Sequence, residues 1–314
     1  MIILAIETSC DETAISIIER KTKSGGFRIL ANIVSSQAKL HAEFGGVVPN
    51  LARREHEKNL VPILIASLKQ AGLWRKTRGE LLYTTCSALN AILERELELF
   101  ARMVPGITSL AIPKIDAIAV THGPGLEPAL WVGINFAKAL SFLWKKPVIP
   151  VNHMEGHIFS ALIERKNSQF AMRNLQFPTV ALLVSGGHTE LIVMKKFGNY
   201  KIIGETLDDA AGEAFDKVAK MLRIGYPGGP AISKLAEKGD ARAIAFPRPM
   251  IQASSFNFSF SGLKTAVLYY LRDHPRFSPA DVAASFQTAA VDVLTAKTLR
   301  AMKKFRSKTL LIGG

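Results

Sequence analysis

Two stretches of this chain follow one plan, and they restrict its possible folds more than any other feature. Ile2 to Ile18 and Val180 to Met194 each run from an apolar, β-rich segment through a short turn of small and polar residues into a second apolar segment. Each is predicted to be a β-hairpin whose tip can face a ligand. The same unit near the start of each half predicts two related lobes with a cleft between them. Chance likeness between two hairpins is the competing explanation.

The rest of each half alternates the two periodicities. Leu51 to Gln70 is predicted to be helical, with Leu60, Ile63, Leu64 and Leu68 among its apolar positions. Ile115 to Thr121 reads as a buried strand feeding Gly123-Pro124-Gly125 and a helix over 129–143, and Val148 to Val151 reads as the next strand. The second half continues with a helix around Asp209 to Leu222, the turn Tyr226-Pro227-Gly228-Gly229-Pro230, a helix from Ala231, another over Asp281 to Phe305, and the strand Thr309 to Ile312. This order predicts α/β sheets flanked by helices. The division expected is an N-terminal lobe over 1–150 and a C-terminal lobe over 151–314. Residues 74–112 stand out as an inserted block; its segment Leu81 to Phe100 is predicted to be a helix packed on the surface of the first lobe. Gly313-Gly314 follow an apolar strand directly, where a helix would be expected next, so the second lobe reads as truncated.

Composition narrows the class. The chain has 314 residues, 48% hydrophobic and 21% charged, enough to build two packed lobes. Every apolar run is broken by a charge before it could cross a bilayer, which predicts no membrane span. The first residues read as a buried strand and not a leader, and two cysteines, Cys10 and Cys86, cannot build a disulfide framework, so a cytoplasmic setting is expected and both thiols are read as packing residues. The formal charge of +14 favours a polyanionic partner, and without an aromatic RNA-reading signature that partner would be a folded RNA held by shape and charge.

The chemistry-bearing candidates are few. His153 and His157, in Asn152-His153-Met154-Glu155-Gly156-His157, would lie a turn apart on one helical face, a spacing at which two imidazoles can bind one cation. Two polar residues lining a helix start explain the pair equally well. The order argues against a metalloprotease, because Met154 fills the place where a zincin helix puts its glutamate. Gly186 and Gly187, in Ser185-Gly186-Gly187-His188-Thr189, occupy the second hairpin tip, where glycine permits positive φ and close backbone approach to an anion. Asp209, Glu213 and Asp216 would stack at i, i+4 and i+7 on a helix and repel one another unless a hydroxyl, a cation or a lysine answers them. An acidic solvated face balanced by Lys217 and Lys220 is the alternative. Pro227-Gly228-Gly229-Pro230 and Gly123-Pro124-Gly125 each open a helix, whose N–H groups can meet an anion.

Together these segments resemble the TsaD family, the bacterial tRNA threonylcarbamoyltransferases. The resemblance rests on Ile6 to Thr13, His41 to Pro49, His153 to His157, Leu183 to Thr189, Asp208 to Lys217, Tyr226 to Pro230 and Phe258 to Thr265. It implies a two-lobed, actin-like ATPase fold of the sugar-kinase and Hsp70 superfamily. It also implies transfer of a threonylcarbamoyl group from threonylcarbamoyl-AMP to N6 of the adenosine 3′ of the anticodon in tRNA. One divalent metal, iron(II) or alternatively zinc, would be held by His153 and His157. Substrate contacts would fall on Leu183, Val184, Ser185, Gly186, Gly187, Asp216 and Gly229, and no side chain is singled out as a catalytic nucleophile. TsaB and TsaE are the implied partners. In the family, a substrate-binding Asn and a third metal ligand, Asp, follow the strand matching Leu310 to Ile312. Neither lies within these 314 residues, so weaker metal retention and impaired activity are expected. Two other readings use the same fold: an ATP-dependent small-molecule kinase, which leaves the His pair unexplained, and an inactive paralogue that binds tRNA or TsaB.

Overall fold

The computed structural model describes residues 1–20, 26–76, 83–108, 110–166, 169–172 and 175–314. These divide into two compact units, Met1–Gly156 with Ile163–Arg173 and His157–Leu162 with Asn174–Gly314. The division falls inside a helix, a few residues after the expected boundary at 150.

The first unit begins with a meander: β1 (Ile2–Glu7), β2 (Glu12–Glu19) and β3 (Arg28–Ser36). Burial alternates along β2, as period-2 side chains on a half-buried strand require. The short helix α1 (Ala38–Ala42) and the long α2 (Pro49–Gln70) follow, with Pro49 at the first turn, where its missing N–H costs no hydrogen bond. Next come α3 (Tyr83–Ile92), α4 (Leu97–Thr108), β4 (Ala117–Gly123), α5 (Glu127–Trp144) and β5 (Val148–Asn152). The sheet order is β3-β2-β1-β4-β5, with β1, β4 and β5 parallel. Leu4, Ile6, Ile15 and Ile17 point into a core shared with Leu60 and Leu64 of α2 and Phe136 of α5.

After β5, the chain forms α6 (His153–Ser160) and a small hairpin, β6 (Ile163–Lys166) with β7 (Gln169–Met172). The second unit's sheet is built from β8 (Thr179–Val184), β9 (Thr189–Lys196) and β10 (Asn199–Glu205). Helices α7 (Ala211–Leu222), α8 (Gly228–Ala236), α9 (Ser261–Asp273) and α10 (Pro279–Phe305) follow, then β11 (Thr309–Gly313). The order β10-β9-β8-β11 repeats β3-β2-β1-β4: a three-strand antiparallel meander with a later strand parallel to its first. The paired hairpins are thus a real duplication, the one implied by the actin-like α/β fold. Val180, Leu182, Leu191 and Val193 face a core completed by Val218 of α7, Leu263 of α9 and Phe286 of α10.

One expectation is corrected here. The block from 74 to 112 does not carry a single surface helix: its described part forms α3 and α4, broken at 93–96. Leu89, Leu93, Leu99 and Met103 are fully buried in the first unit's core. Glu96, buried between the two helices, accepts a hydrogen bond from Asn135 Nδ2 of α5 at 3.0 Å. The block is therefore an integral layer. Residues 81–82, where the expected helix started, lie outside the described residues.

Candidate active site

Parallel strands β1, β4 and β5 end together at one edge of the first sheet, which is where open α/β sheets place their ligands. The edge carries a connected polar cluster. Ser9 N donates to Glu7 Oε1 at 2.5 Å, and Thr121 Oγ1 at the end of β4 donates to Glu7 Oε2 at 2.6 Å. His153 Nδ1, at the start of α6, lies 3.3 Å from Glu7 Oε2 and 3.3 Å from Ser9 Oγ. Burial raises the Glu7 pKa, but the hydrogen bonds from His153, Thr121 and Ser9 outweigh it and hold the carboxyl at about 2. Glu7 is thus a fixed anion at neutral pH. Asn152 caps α6, its Oδ1 accepting from Met154 N at 2.9 Å and Glu155 N at 3.2 Å, so two of the first N–H groups of the helix find an acceptor as β5 passes into it.

The helix pairing expected of His153 and His157 is present, four residues apart on α6. A carboxylate on Nδ1 sets the tautomer in which that nitrogen carries the proton and Nε2 keeps its lone pair, the arrangement that supports metal-binding histidines. On that observation His153 suits a divalent metal. Among the described residues, no group of three or more His, Cys, Asp or Glu side chains is set to hold one.

In the second unit, the β8–β9 turn is closed by Ser185 N donating to His188 O at 2.8 Å and His188 N donating to Ser185 Oγ at 3.1 Å. Gly186 and Gly187 do not adopt positive φ, contrary to expectation. What glycine supplies at both positions is open space, since an added Cβ would meet nothing within 4 Å. Leu183 is fully buried in the sheet, while Val184 is half-buried. Helix α7 starts directly beneath the turn: Gly212 N donates to Ser185 O at 3.2 Å, and a Cβ on Gly212 would come within 2.5 Å of that oxygen.

The acidic triplet is not a helical stack. Asp209 precedes α7, because the helix starts only at Ala211. Asp209 is answered by Lys217 at 2.7 Å and Lys264 at 2.9 Å, and Glu213 by Lys217 at 2.8 Å. Lysines therefore resolve the repulsion. Asp216 does something different: its Oδ1 accepts from Gly228 N at 2.6 Å and ties α7 to the start of α8. A Cβ on Gly228 would come within 2.5 Å of Asp216 Cα, whereas one on Gly229 would meet nothing within 4 Å. Of these two adjacent glycines, the first serves packing and the second leaves space.

Residue reasoning missed Glu7 as the partner of His153; the signal available was a carboxylate ending an apolar strand. It also missed Asp208, whose Oδ2 accepts from Ser259 Oγ and Ser261 Oγ, each at 2.6 Å, and whose Oδ1 accepts from Phe260 N at 2.8 Å. Cys10 is half-buried, and burial together with the neighbouring Asp11 charge pushes its thiol up to about 12, in keeping with an inert packing role.

The family model for tRNA N6-adenosine threonylcarbamoyltransferase, TsaD, matches residues 28–84 and 106–314, leaving β1, β2 and most of α3 and α4 unmatched. The tRNA N6-adenosine threonylcarbamoyltransferase of Persephonella marina is 45% identical over 100% of this chain and 77% of its own length. That of Bacillus subtilis is 42% identical over 100% of this chain and 77% of its own. Among solved structures, the ROK hexokinase of Thermus thermophilus aligns with a TM-score of 0.42 at 11% identity, over 100% of this chain and 93% of its own. Set beside the hairpin tips, the His pair on α6 and the glycines of α8, this match over the whole chain makes it a member of the tRNA N6-adenosine threonylcarbamoyltransferase family.

Proposed function

We propose that this chain transfers the threonylcarbamoyl group of threonylcarbamoyl-AMP to N6 of the adenosine 3′ of the anticodon, in tRNAs reading codons that begin with A. The observation that carries this reading is the identity of 42–45% with threonylcarbamoyltransferases across 99–100% of the chain. In the reaction, the adenosine amine attacks the carbamoyl carbonyl carbon, the bond from that carbon to the phosphate oxygen breaks, AMP departs, and N6 releases a proton to solvent. No enzyme nucleophile is required.

His153 and His157 are the residues that would hold the divalent metal, iron(II) or zinc. When bound, the metal supplies a Lewis acid for the carbonyl oxygen. Glu7, a fixed anion with Ser9 and Thr121 on it, orients the His153 ring and sets its tautomer. In the second unit, the open backbone at Gly186 and Gly187, beside Ser185, and at Gly229 is suited to close approach by the adenylate. The N-termini of α7 and α8 are favourable surroundings for its phosphate. Asp216 fixes the α8 N-terminus by accepting from Gly228 N.

The formal charge of +14 supports a tRNA substrate. Among the described residues, no helix is long and apolar enough to cross a membrane. TsaB-like and TsaE-like proteins are the partners proposed from family membership, in the cytoplasm. The test is a reconstituted reaction of this chain with unmodified tRNA, threonylcarbamoyl-AMP and both partners, scored by mass spectrometry of the digested nucleosides. Threonylcarbamoyladenosine is the expected product. Its absence, under conditions where the Bacillus subtilis relative produces it, overturns the reading.

A further inference from the structure

We infer that the second unit's sheet carries a docking surface for the tRNA phosphate backbone at the end opposite its Ser185–His188 turn. The inference rests on the tRNA reading above and adds to it a place on the molecule. Strand register brings the surface together. Thr179 pairs with Met194 of β9 and with Thr309 of β11, so Lys195 and Lys196, the turn at Phe197-Gly198, and the approach to β11 through Arg306 and Lys308 all share one end of the sheet. The Ser185–His188 turn closes the other end, six β8 residues away, roughly 20 Å at the rise of a strand.

Lys195, Lys196 and Lys201 on the hairpin are exposed, as are Lys303, Lys304, Arg306 and Lys308 at the end of α10. None has a carboxylate partner among the described residues. The sequence offers none nearby either, since 191–204 and 293–314 contain no Asp or Glu. Lys303 and Lys304 sit in the last turn of α10, where a cation also complements the helix dipole, and Lys201 lies on an edge strand that a charge protects from pairing. Neither explanation covers Lys195, Lys196, Arg306 or Lys308. Aromatic rings lie at the same end. Phe197 is 49% exposed, packs edge-on against Phe177 at 5.3 Å between centroids, and stacks near Phe159 at 6.1 Å. Unpaired lysines around an exposed ring can neutralise phosphates and give an unpaired base a stacking surface. A docking point this far from the turn suits a long polyanion, because it positions the body of the tRNA without touching the reacting adenosine.

The experiment measures binding of unmodified tRNA to the full chain by fluorescence anisotropy between 50 and 200 mM KCl. The variants are Lys195→Ala/Lys196→Ala/Lys201→Ala, Lys303→Ala/Lys308→Ala and Phe197→Ala. Each lysine variant is expected to weaken binding about tenfold at 50 mM and to flatten the dependence of log Kd on log salt by about one for every phosphate it no longer neutralises, with the unfolding midpoint unchanged. Phe197→Ala should weaken binding while keeping the wild-type salt slope. Wild-type affinity and slope in both lysine variants would overturn the inference, as would loss of binding to phosphatidylglycerol vesicles with tRNA binding intact. Failure of the wild type to modify tRNA would count against the proposed function alone, since the anisotropy scores the surface independently of turnover.

Discussion

His153 Nδ1 lies 3.3 Å from Glu7 Oε2, joining residues 146 positions apart across the parallel edge of the first sheet. The carboxylate fixes which imidazole nitrogen carries the proton. Replacing Glu7 by Gln removes the charge and one of the two oxygens that receive Ser9 N, Thr121 and His153. Metal affinity of Glu7→Gln, measured by competition with a chelator of known strength, is expected to fall 10- to 100-fold while the unfolding midpoint moves little. Unaltered affinity would mean that His153 is oriented by something else.

Gly228 and Gly229 separate packing from binding. Gly228→Ala would drive a methyl into the Asp216 and Phe215 backbone, with 2.5 Å to Asp216 Cα and to Phe215 O, and is expected to destabilise the protein by about 2 kcal/mol or more. Gly229→Ala meets nothing within 4 Å and sits in the first turn of α8, so its stability should stay within about 0.5 kcal/mol of wild type. If Gly229 lies against the adenylate, that same methyl raises the KM for threonylcarbamoyl-AMP. Urea unfolding and steady-state kinetics on the pair decide the matter.

How legible these features are in the sequence depends on how local their causes are. The two hairpins, α2, α5 and β11 could be read because apolar periodicity and flanking glycines are local signals. The start of α7 could not: the acidic and alanine positions Asp208-Asp209-Ala210-Ala211 suit a helix interior as well as its approach, and the extended backbone at Ala210 is what puts Asp209 outside the helix. The β6–β7 hairpin has only four residues in each strand, too few to set a period-2 pattern. Of the two reasons for reading Gly186 and Gly187 as special, the open space left by the missing side chain is present, whereas positive φ is not, because φ is set by the turn and not by residue type. The contact between Glu7 and His153 is a consequence of β1, β4 and β5 being neighbours, which no local pattern states.

Asp208 gathers two serine hydroxyls and two backbone N–H groups at the start of α9. Burial raises its pKa, but the bonds from Ser259, Ser261 and the Phe260 and Ser261 backbone outweigh it, leaving a net lowering. A carboxyl held low in the folded state contributes stability above its unfolded pKa, and that contribution disappears as pH falls through the folded value. Asp208→Asn is therefore expected to cost about 1 kcal/mol at pH 7, modest because the side chain is solvent-exposed, and nothing once the wild-type carboxyl is protonated. Chemical unfolding of both proteins between pH 7 and pH 2 should show the two curves converging on the acid side.

Lys297 is the opposite case. It is fully buried on α10, donates to Ser255 O at 3.0 Å, and has its ammonium 6.0 Å from the Phe258 ring, with no carboxylate partner among the described residues. Burial, with a smaller contribution from the Arg300 charge, lowers its pKa to about 8. The unfolded chain thus binds the proton more tightly than the folded one. Between about pH 8 and the unfolded value near 10.5, stability should rise with pH; below pH 8 the full penalty of the charged form is present. Lys297→Met removes that penalty and fills similar volume, and Arg300 Nη2 still donates to Ser255 O at 2.7 Å, so the carbonyl keeps a partner. The variant is expected to be more stable than wild type at pH 7 by about 1–3 kcal/mol, with the gap narrowing toward pH 10. Urea midpoints at pH 7, 8.5 and 10 measure this, and a gap that stays constant across that range would show that the lysine keeps an ordinary pKa in the folded protein.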